Sequence, residues 1–218
     1  MGDAMALSTA QRVADTLRDR IEGGGLPPGT QLSEEALGRE LGVSRNTLRE
    51  AFRLLVHESL VVHRLNRGVF VRVLEPADVT DIYRVRAALE TAGVRAAASA
   101  APALRAAVAG AVARGERAAA AGDWPEVASA DLRFHRALAA LGGSARIDSA
   151  MDRLLAELRL AFHTMPSPRR FHEPFLLRNR SLATLLENGD HGRAEAELTT
   201  YLDDARRLIL DTMREASS

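Results

Sequence analysis

Strand chemistry in this chain is confined to two neighbouring stretches, Leu60–Arg64 and Val69–Val73. Between them lies Leu65-Asn66-Arg67-Gly68, so the pair reads as a hairpin with a glycine-bearing turn. Almost everything after Asp78 carries helical spacing instead. The fold class that follows is mainly α, with one two-stranded appendage near the N-terminus. A chain of 218 residues, 46% hydrophobic and 27% charged, has room for one large domain or two small ones. The change of character near Pro76 predicts two, over residues 1–75 and 76–218.

The first half alternates caps and apolar stripes. Ser8 with Gln11 is a capping-box pattern, followed by Val13, Leu17 and Ile21 at helical spacing and a stop at Gly23-Gly24-Gly25. Ser33 caps a second short helix with Glu34 and Glu35 at its positive end. Gly42 ends it, and Ser44 caps a third helix running to about Ser59. Leu41-Gly42-Val43-Ser44 is the tight joint of a helix-turn-helix. Leu48, Ala51, Phe52, Leu55 and Val56 form the apolar stripe of the third helix, while Arg45, Asn46, Arg49 and Arg53 point elsewhere. The chain as a whole is neutral, which excludes a polybasic binder. Locally, Arg45, Arg49, Arg53, Arg64, Arg67 and Arg72 face only Glu50 and Glu58 within residues 43–72. Positive charge is focused on the third helix and the hairpin, where a winged reader meets DNA.

Three segments carry a family resemblance: Gly29-Thr30-Gln31-Leu32-Ser33-Glu34, Leu41 through Ala51, and Asn66-Arg67-Gly68-Val69-Phe70-Val71. Together they resemble the GntR winged helix-turn-helix over nearly all of residues 8–73. The resemblance implies a short palindromic operator read by a dimer. It puts Arg45, Asn46, Thr47 and Arg49 at base edges or phosphates and Gly68 at the wing tip. Ser33, Ser44 and Arg67 complete the candidate DNA-binding set. Ser59 stands where the family usually has glycine, so a slightly different helix end is expected there.

In the second half, helices are predicted at about 78–99, 102–121, 125–141, 144–164, 174–188 and 191–214, with Pro102, Pro125 and Pro174 at helix starts. Helices of this length predict an antiparallel bundle of six to seven. Five polar residues interrupt its apolar stripes: Arg86, Asp131, His135, Asn179 and Tyr201. Buried charges are costly unless paired or liganded, so polar residues on several inner faces predict one polar cavity, a candidate effector site. The bland alternative is an ion pair and a satisfied core histidine.

This half resembles the FCD ligand-binding domain of FadR-type GntR regulators, through Tyr83-Arg84-Val85-Arg86-Ala87-Ala88-Leu89-Glu90, Asp131 through Leu138, and Glu187-Asn188-Gly189-Asp190. The resemblance implies a divalent metal held by one aspartate and three histidines, helping to hold a carboxylate effector. Asp131 and His135 match the first two ligands; Asn179 and Tyr201 stand where the other two histidines align. His163, His172 and His191 lie near predicted breaks or helix ends and have no place in the cavity on this reading. Arg86 is then the better anchor for an anionic ligand, through its bidentate fork.

Several function classes drop out. Without cysteine there are no disulfides or thiolate sites. Every basic residue is arginine, so lysine Schiff-base chemistry and a P-loop are excluded. No apolar run reaches the roughly eighteen residues of a membrane helix. Met1–Ala10 lacks the features of a signal peptide, so a soluble cytoplasmic protein is expected. The leading expectation is a homodimeric repressor, not an enzyme, controlled by a small carboxylate. The alternatives are a regulator with no effector and a metal-dependent enzyme using Asp131 and His135.

Overall fold

The computed structural model describes residues 8–216; Met1–Leu7, part of the segment read for a signal peptide, lie outside it. Two compact units divide the chain. One runs to Leu74 and includes Arg159–Thr164; the other comprises Glu75–Leu158 and the chain from Met165 onward.

The first unit contains α1 (Thr9–Glu22), β1 (Gln31–Leu32), α2 (Glu34–Leu41), α3 (Arg45–His57), β2 (Val61–Arg64) and β3 (Gly68–Val71). Serine caps start all three helices: Ser8, Ser33 and Ser44 accept from the backbone N–H of Gln11, Ala36 and Thr47. Only half of the expected capping box at Ser8 forms, because the Gln11 side chain donates to Asp15 instead. Gly42 closes α2 at φ 65°, the left-handed conformation that the joint requires. Leu17 and Ile21 of α1 are buried with Leu48, Ala51, Phe52 and Leu55 of α3. Val56, expected in that stripe, is exposed, because it sits at the stripe's edge.

The wing has three strands, not two. β1 pairs with β3 (Gln31 opposite Phe70), and β2 pairs with β3 (Val61 opposite Val71, Arg64 opposite Gly68). Two residues flanked by a proline turn and a cap are too short to show a period-two pattern, which is why β1 was not expected. The end of α3 also differs from expectation. Ser59 takes φ 60°. Its N–H reaches Val56 O at 3.0 Å and that of Leu60 reaches Leu55 O at 3.0 Å. This is the helix end a glycine would make, kept by a serine.

The second unit is helical: α4 (Pro76–Ala96), a 3-10 turn at Ala97–Ser99, α5 (Pro102–Ala120), α6 (Trp124–Ala140), α7 (Ala145–His163, as far as Leu158), α8 (Pro168–Glu187) and α9 (His191–Ala216). α5 packs on α6, α4 on α9 and α6, and α8 on α5, α6 and α9. Gly93 lets α4 meet α6, since a Cβ there would stand 2.0 Å from Leu138 O. The expected fifth helix starts earlier than predicted. Ser167 caps α8, Pro168 occupies its first turn, and Pro174 lies inside it. Two prolines compete for the start, and the one preceded by a serine cap takes it. Phe171 and His172 thereby become helical and buried.

Candidate functional site

At the N-terminal unit, Arg45, Asn46 and Arg49 are exposed on the first turn and a half of α3, beside half-buried Thr47. Ser44 and Thr47 share a hydroxyl contact of 2.9 Å that fixes this end of the helix. Arg49 is held by Glu34 of α2, its Nε 2.9 and 3.1 Å from the two carboxylate oxygens. An exposed pair of this kind is weak and exchanges readily for a phosphate or a base. At the wing, the backbone carbonyl of Arg67 accepts from the Gln31 side chain at 2.8 Å, tying the tip to β1. Gly68, at φ 98°, is exposed at the start of β3. Ser33, Ser44, Arg45, Asn46, Thr47, Arg49, Arg67 and Gly68 all lie on the turn, the two helix starts it serves, and the wing.

Inside the helical unit, the five polar residues singled out above converge from α4, α6, α8 and α9. Asp131 is the hub. Its Oδ1 accepts from Asn179 Nδ2 at 2.9 Å and from the Tyr201 hydroxyl at 3.0 Å. His135, one turn along α6, places Nε2 3.9 Å from the same oxygen. Its Nδ1 donates to Glu90 Oε2 at 2.6 Å. Glu90 in turn accepts from Arg86 Nε through Oε1 at 2.9 Å. Arg86 is 1% exposed and Glu90 0%, and the guanidinium also lies over the Tyr83 ring at 4.6 Å. The counter-charge of Arg86 is thus on its own helix, one turn away.

Charge and burial set the protonation of this cluster. Burial pushes the Asp131 carboxyl up, but His135, His172, the Asn179 hydrogen bond and Arg86 together hold it below the usual carboxylate range. Burial, and then the charge of Asp131, drive the Tyr201 hydroxyl well above its ordinary value, so it stays a donor. Burial likewise pushes Tyr83 up to about 12.

His172 is the residue that sequence reasoning missed. It is 2% exposed, with Nδ1 3.7 Å from Asp131 Oδ2. The signal was its spacing, seven residues and so two turns before Asn179 on one face of α8. Taking Pro174 as a helix start hid it. Asp131, His172 and Asn179 line a small space with Ala111, Val112, Gly115, Val127, Ala130 and Leu176. His163 and His191 are only partly buried.

A helix-turn-helix with a three-stranded wing, joined to a helical domain with a polar interior, defines a DNA-binding transcription regulator. Comparison with known proteins gives the family. Residues 9–71 match the model for bacterial regulatory proteins of the gntR family, and residues 81–204 match the FCD domain. The chain belongs to the GntR family, with an FCD domain. A crystal structure of a putative GntR transcriptional regulator from Rhodococcus sp. RHA1 is 43% identical, with a TM-score of 0.89, covering 94% of this chain and 99% of that one. A probable D-xylose utilization operon transcriptional repressor of Paenarthrobacter nicotinovorans is 29% identical over 195 residues, 89% of this chain and 86% of that protein. An HTH-type transcriptional regulator of Agrobacterium vitis is 37% identical over 146 residues, 62% of this chain and 83% of that protein.

The metal that the FCD resemblance implies does not fit these residues. Asn179 and Tyr201, which stand where two imidazoles would be, both donate hydrogen bonds to Asp131 Oδ1. Among the described residues no group of three or more histidine, cysteine, aspartate or glutamate side chains is placed to hold a metal ion. The two imidazoles present, His135 and His172, approach different oxygens of Asp131, at 3.9 and 3.7 Å, and an amide and a phenol stand in place of the remaining two, a poor transition-metal set.

Proposed function

We propose that this protein is a repressor that binds a short palindromic operator as a homodimer and is controlled by a small effector inside the helical domain. DNA binding belongs to residues 1–75, effector binding and dimerisation to residues 76–218. The exposed Arg45, Asn46 and Arg49 at the start of α3 carry the DNA assignment, supported by the arginine-bearing wing. Ser33, Ser44 and Thr47 hold the two helix starts, and Arg67 and Gly68 meet the backbone at the wing tip. One short recognition helix spans few base pairs, so two copies on a two-fold site are needed for specificity. Repression is the mode named for the Paenarthrobacter relative. Such a regulator acts where the chromosome is, in the cytoplasm. Among the described residues no helix is long and apolar enough to cross a membrane.

The observation that carries effector control is the buried polar cluster. Arg86, Asp131, His135, Asn179 and Tyr201, joined by Glu90 and His172, are an expensive interior for a bundle that only had to hold itself together. A ligand carboxylate would take the guanidinium edge of Arg86, and its preference for one helix arrangement would shift the DNA-binding state. Catalysis is not the reading we favour: Asp131 and His135 are engaged by Tyr201, Asn179 and Glu90, with no nucleophile beside them. The test is operator binding at fixed salt, followed by fluorescence anisotropy. Arg45→Ala and Arg49→Ala are each expected to lose about 1–3 kcal/mol of discrimination with the fold intact. Wild-type affinity in both would refute the assignment. A light-scattering mass near 23.6 kDa, that of one chain, at micromolar concentration would refute the dimer.

A further inference from the structure

Two buried atoms at the ends of the polar cluster, on Arg86 and Asn179, have no hydrogen-bond partner among the described residues, and they are of opposite sense. Arg86 Nη2 is a donor and Asn179 Oδ1 an acceptor. Both side chains are almost fully enclosed, at 1% and 5% exposed. Buried polar atoms are nearly always partnered, so each such exception needs a reason. Both end one run of contacts: Asn179 donates to Asp131 at 2.9 Å, His135 Nε2 lies 3.9 Å from the same oxygen, and its Nδ1 donates to Glu90, which accepts from Arg86 Nε. The Asn179 amide cannot simply turn over, because that would set its oxygen against the Asp131 oxygen. Its acceptor is therefore committed to something else.

We infer that the effector is a zwitterion of the amino-acid type, whose carboxylate takes Arg86 Nη2 and whose ammonium donates to Asn179 Oδ1 and Asp131. This rests on the effector reading above and narrows its ligand class. A simple carboxylate would satisfy Arg86 only. It would leave Asn179 Oδ1 bare and add a third carboxylate beside Glu90 and Asp131. The guanidinium is already matched by Glu90 at 2.9 Å, so no spare cation awaits such a charge except on the imidazoles of His135 and His172. A simple amine reverses the fault, meeting Asn179 and Asp131 and leaving Arg86 Nη2 empty. A molecule carrying both groups brings its own balancing charge and gives both atoms a partner. The space beside Asp131, His172 and Asn179 has a volume of about 10 Å³, room for about one water. A zwitterion must therefore part α8 from α5 and α6 to enter. That requirement couples occupancy to helix spacing, as control of an attached DNA reader demands.

The experiment uses the full-length protein and the twenty standard amino acids. Each is paired with the acid that lacks its amino group and the amine that lacks its carboxylate. Thermal shift screens the panel and calorimetry measures the hits. At least one amino acid should raise the melting temperature saturably, with its matched acid and amine binding about tenfold or more weakly, a difference of about 1.4 kcal/mol. Asn179→Leu should bring the amino acid down to the level of its matched acid and leave the acid unchanged. Arg86→Lys should weaken amino acid and acid together. Equal binding of acid and amino acid by the wild-type protein overturns the inference, and that comparison stands even where a variant fails to fold. Binding of organic acids with no amino acid bound removes the zwitterion but keeps the effector. Silence in both panels removes both.

Discussion

Replacing Glu90 by glutamine keeps its shape and removes one charge. The position is 0% exposed, and its carboxylate bridges Arg86 Nε at 2.9 Å and His135 Nδ1 at 2.6 Å. Without that charge, a guanidinium 1% exposed keeps only the Tyr83 ring face and the more distant Asp131. Stranding one partner of a buried pair costs about 3–5 kcal/mol. With a urea slope of roughly 2 kcal/mol per molar, the unfolding midpoint should fall by about 2 M. Trp124, the only tryptophan of the chain, sits at the start of α6, so its emission follows the helical unit alone. Glu90→Leu with Arg86→Met removes both charges, and should be more stable than either single replacement, because no ion is left unpaired. A Glu90→Gln midpoint within about 0.5 M of wild type, on the same slope, would show that Asp131 and not Glu90 neutralises Arg86. A double variant less stable than both singles would refute the reasoning in a second way.

Three further outcomes follow from single features. Ser59→Gly should stabilise the DNA-binding unit by about 1 kcal/mol, read by calorimetry, because Ser59 holds φ 60° at the end of α3; a loss of stability would mean that the serine hydroxyl contributes more than the strain. Asn179→His combined with Tyr201→His puts imidazoles where Asp131 now accepts two hydrogen bonds, so zinc or nickel should bind stoichiometrically to the double variant and raise its melting temperature, while wild type shows well under one equivalent by elemental analysis. Tyr83 loses its proton near 10 in the unfolded chain and near 12 in the fold, so stability present below pH 10 is lost as the pH rises towards 12, by roughly 3 kcal/mol in all. Tyr83→Phe should flatten that part of the alkaline unfolding curve, and an unchanged curve would contradict it.

The helix-turn-helix was legible because its signals are local. A cap, a glycine joint and a stripe such as Leu48, Phe52 and Leu55 each depend on residues within two turns, and the structure has them where periodicity put them. What failed depended on partners far along the chain. Gln31–Leu32 became a strand only because β3, nearly forty residues on, offered an edge. Val56 lost its place in the core because the stripe runs out at the end of α3, a matter of which neighbours are there to cover it.

The polar cluster shows the same division from the other side. Polar residues at inward positions can be read one helix at a time, as the spacing of Arg86, Asp131, His135, Asn179 and Tyr201 shows. Their pairing cannot be read so, since it depends on which helices meet. That Asp131 accepts hydrogen bonds from α8 and α9 while His135 turns to Glu90 on α4 is a property of the packing. One misplaced boundary was enough to hide His172: a helix starting at Pro174 cannot bury a residue two positions before it. Once Ser167 is the cap, His172 and Asn179 share a face, and the interior of α8 gains a second polar contact on Asp131. The cluster is therefore a better guide to function than any of its members. Each residue alone has an ordinary structural explanation, whereas a hub carboxylate with partners from two other helices and unmatched buried atoms on Arg86 and Asn179 is what the proposed effector site rests on.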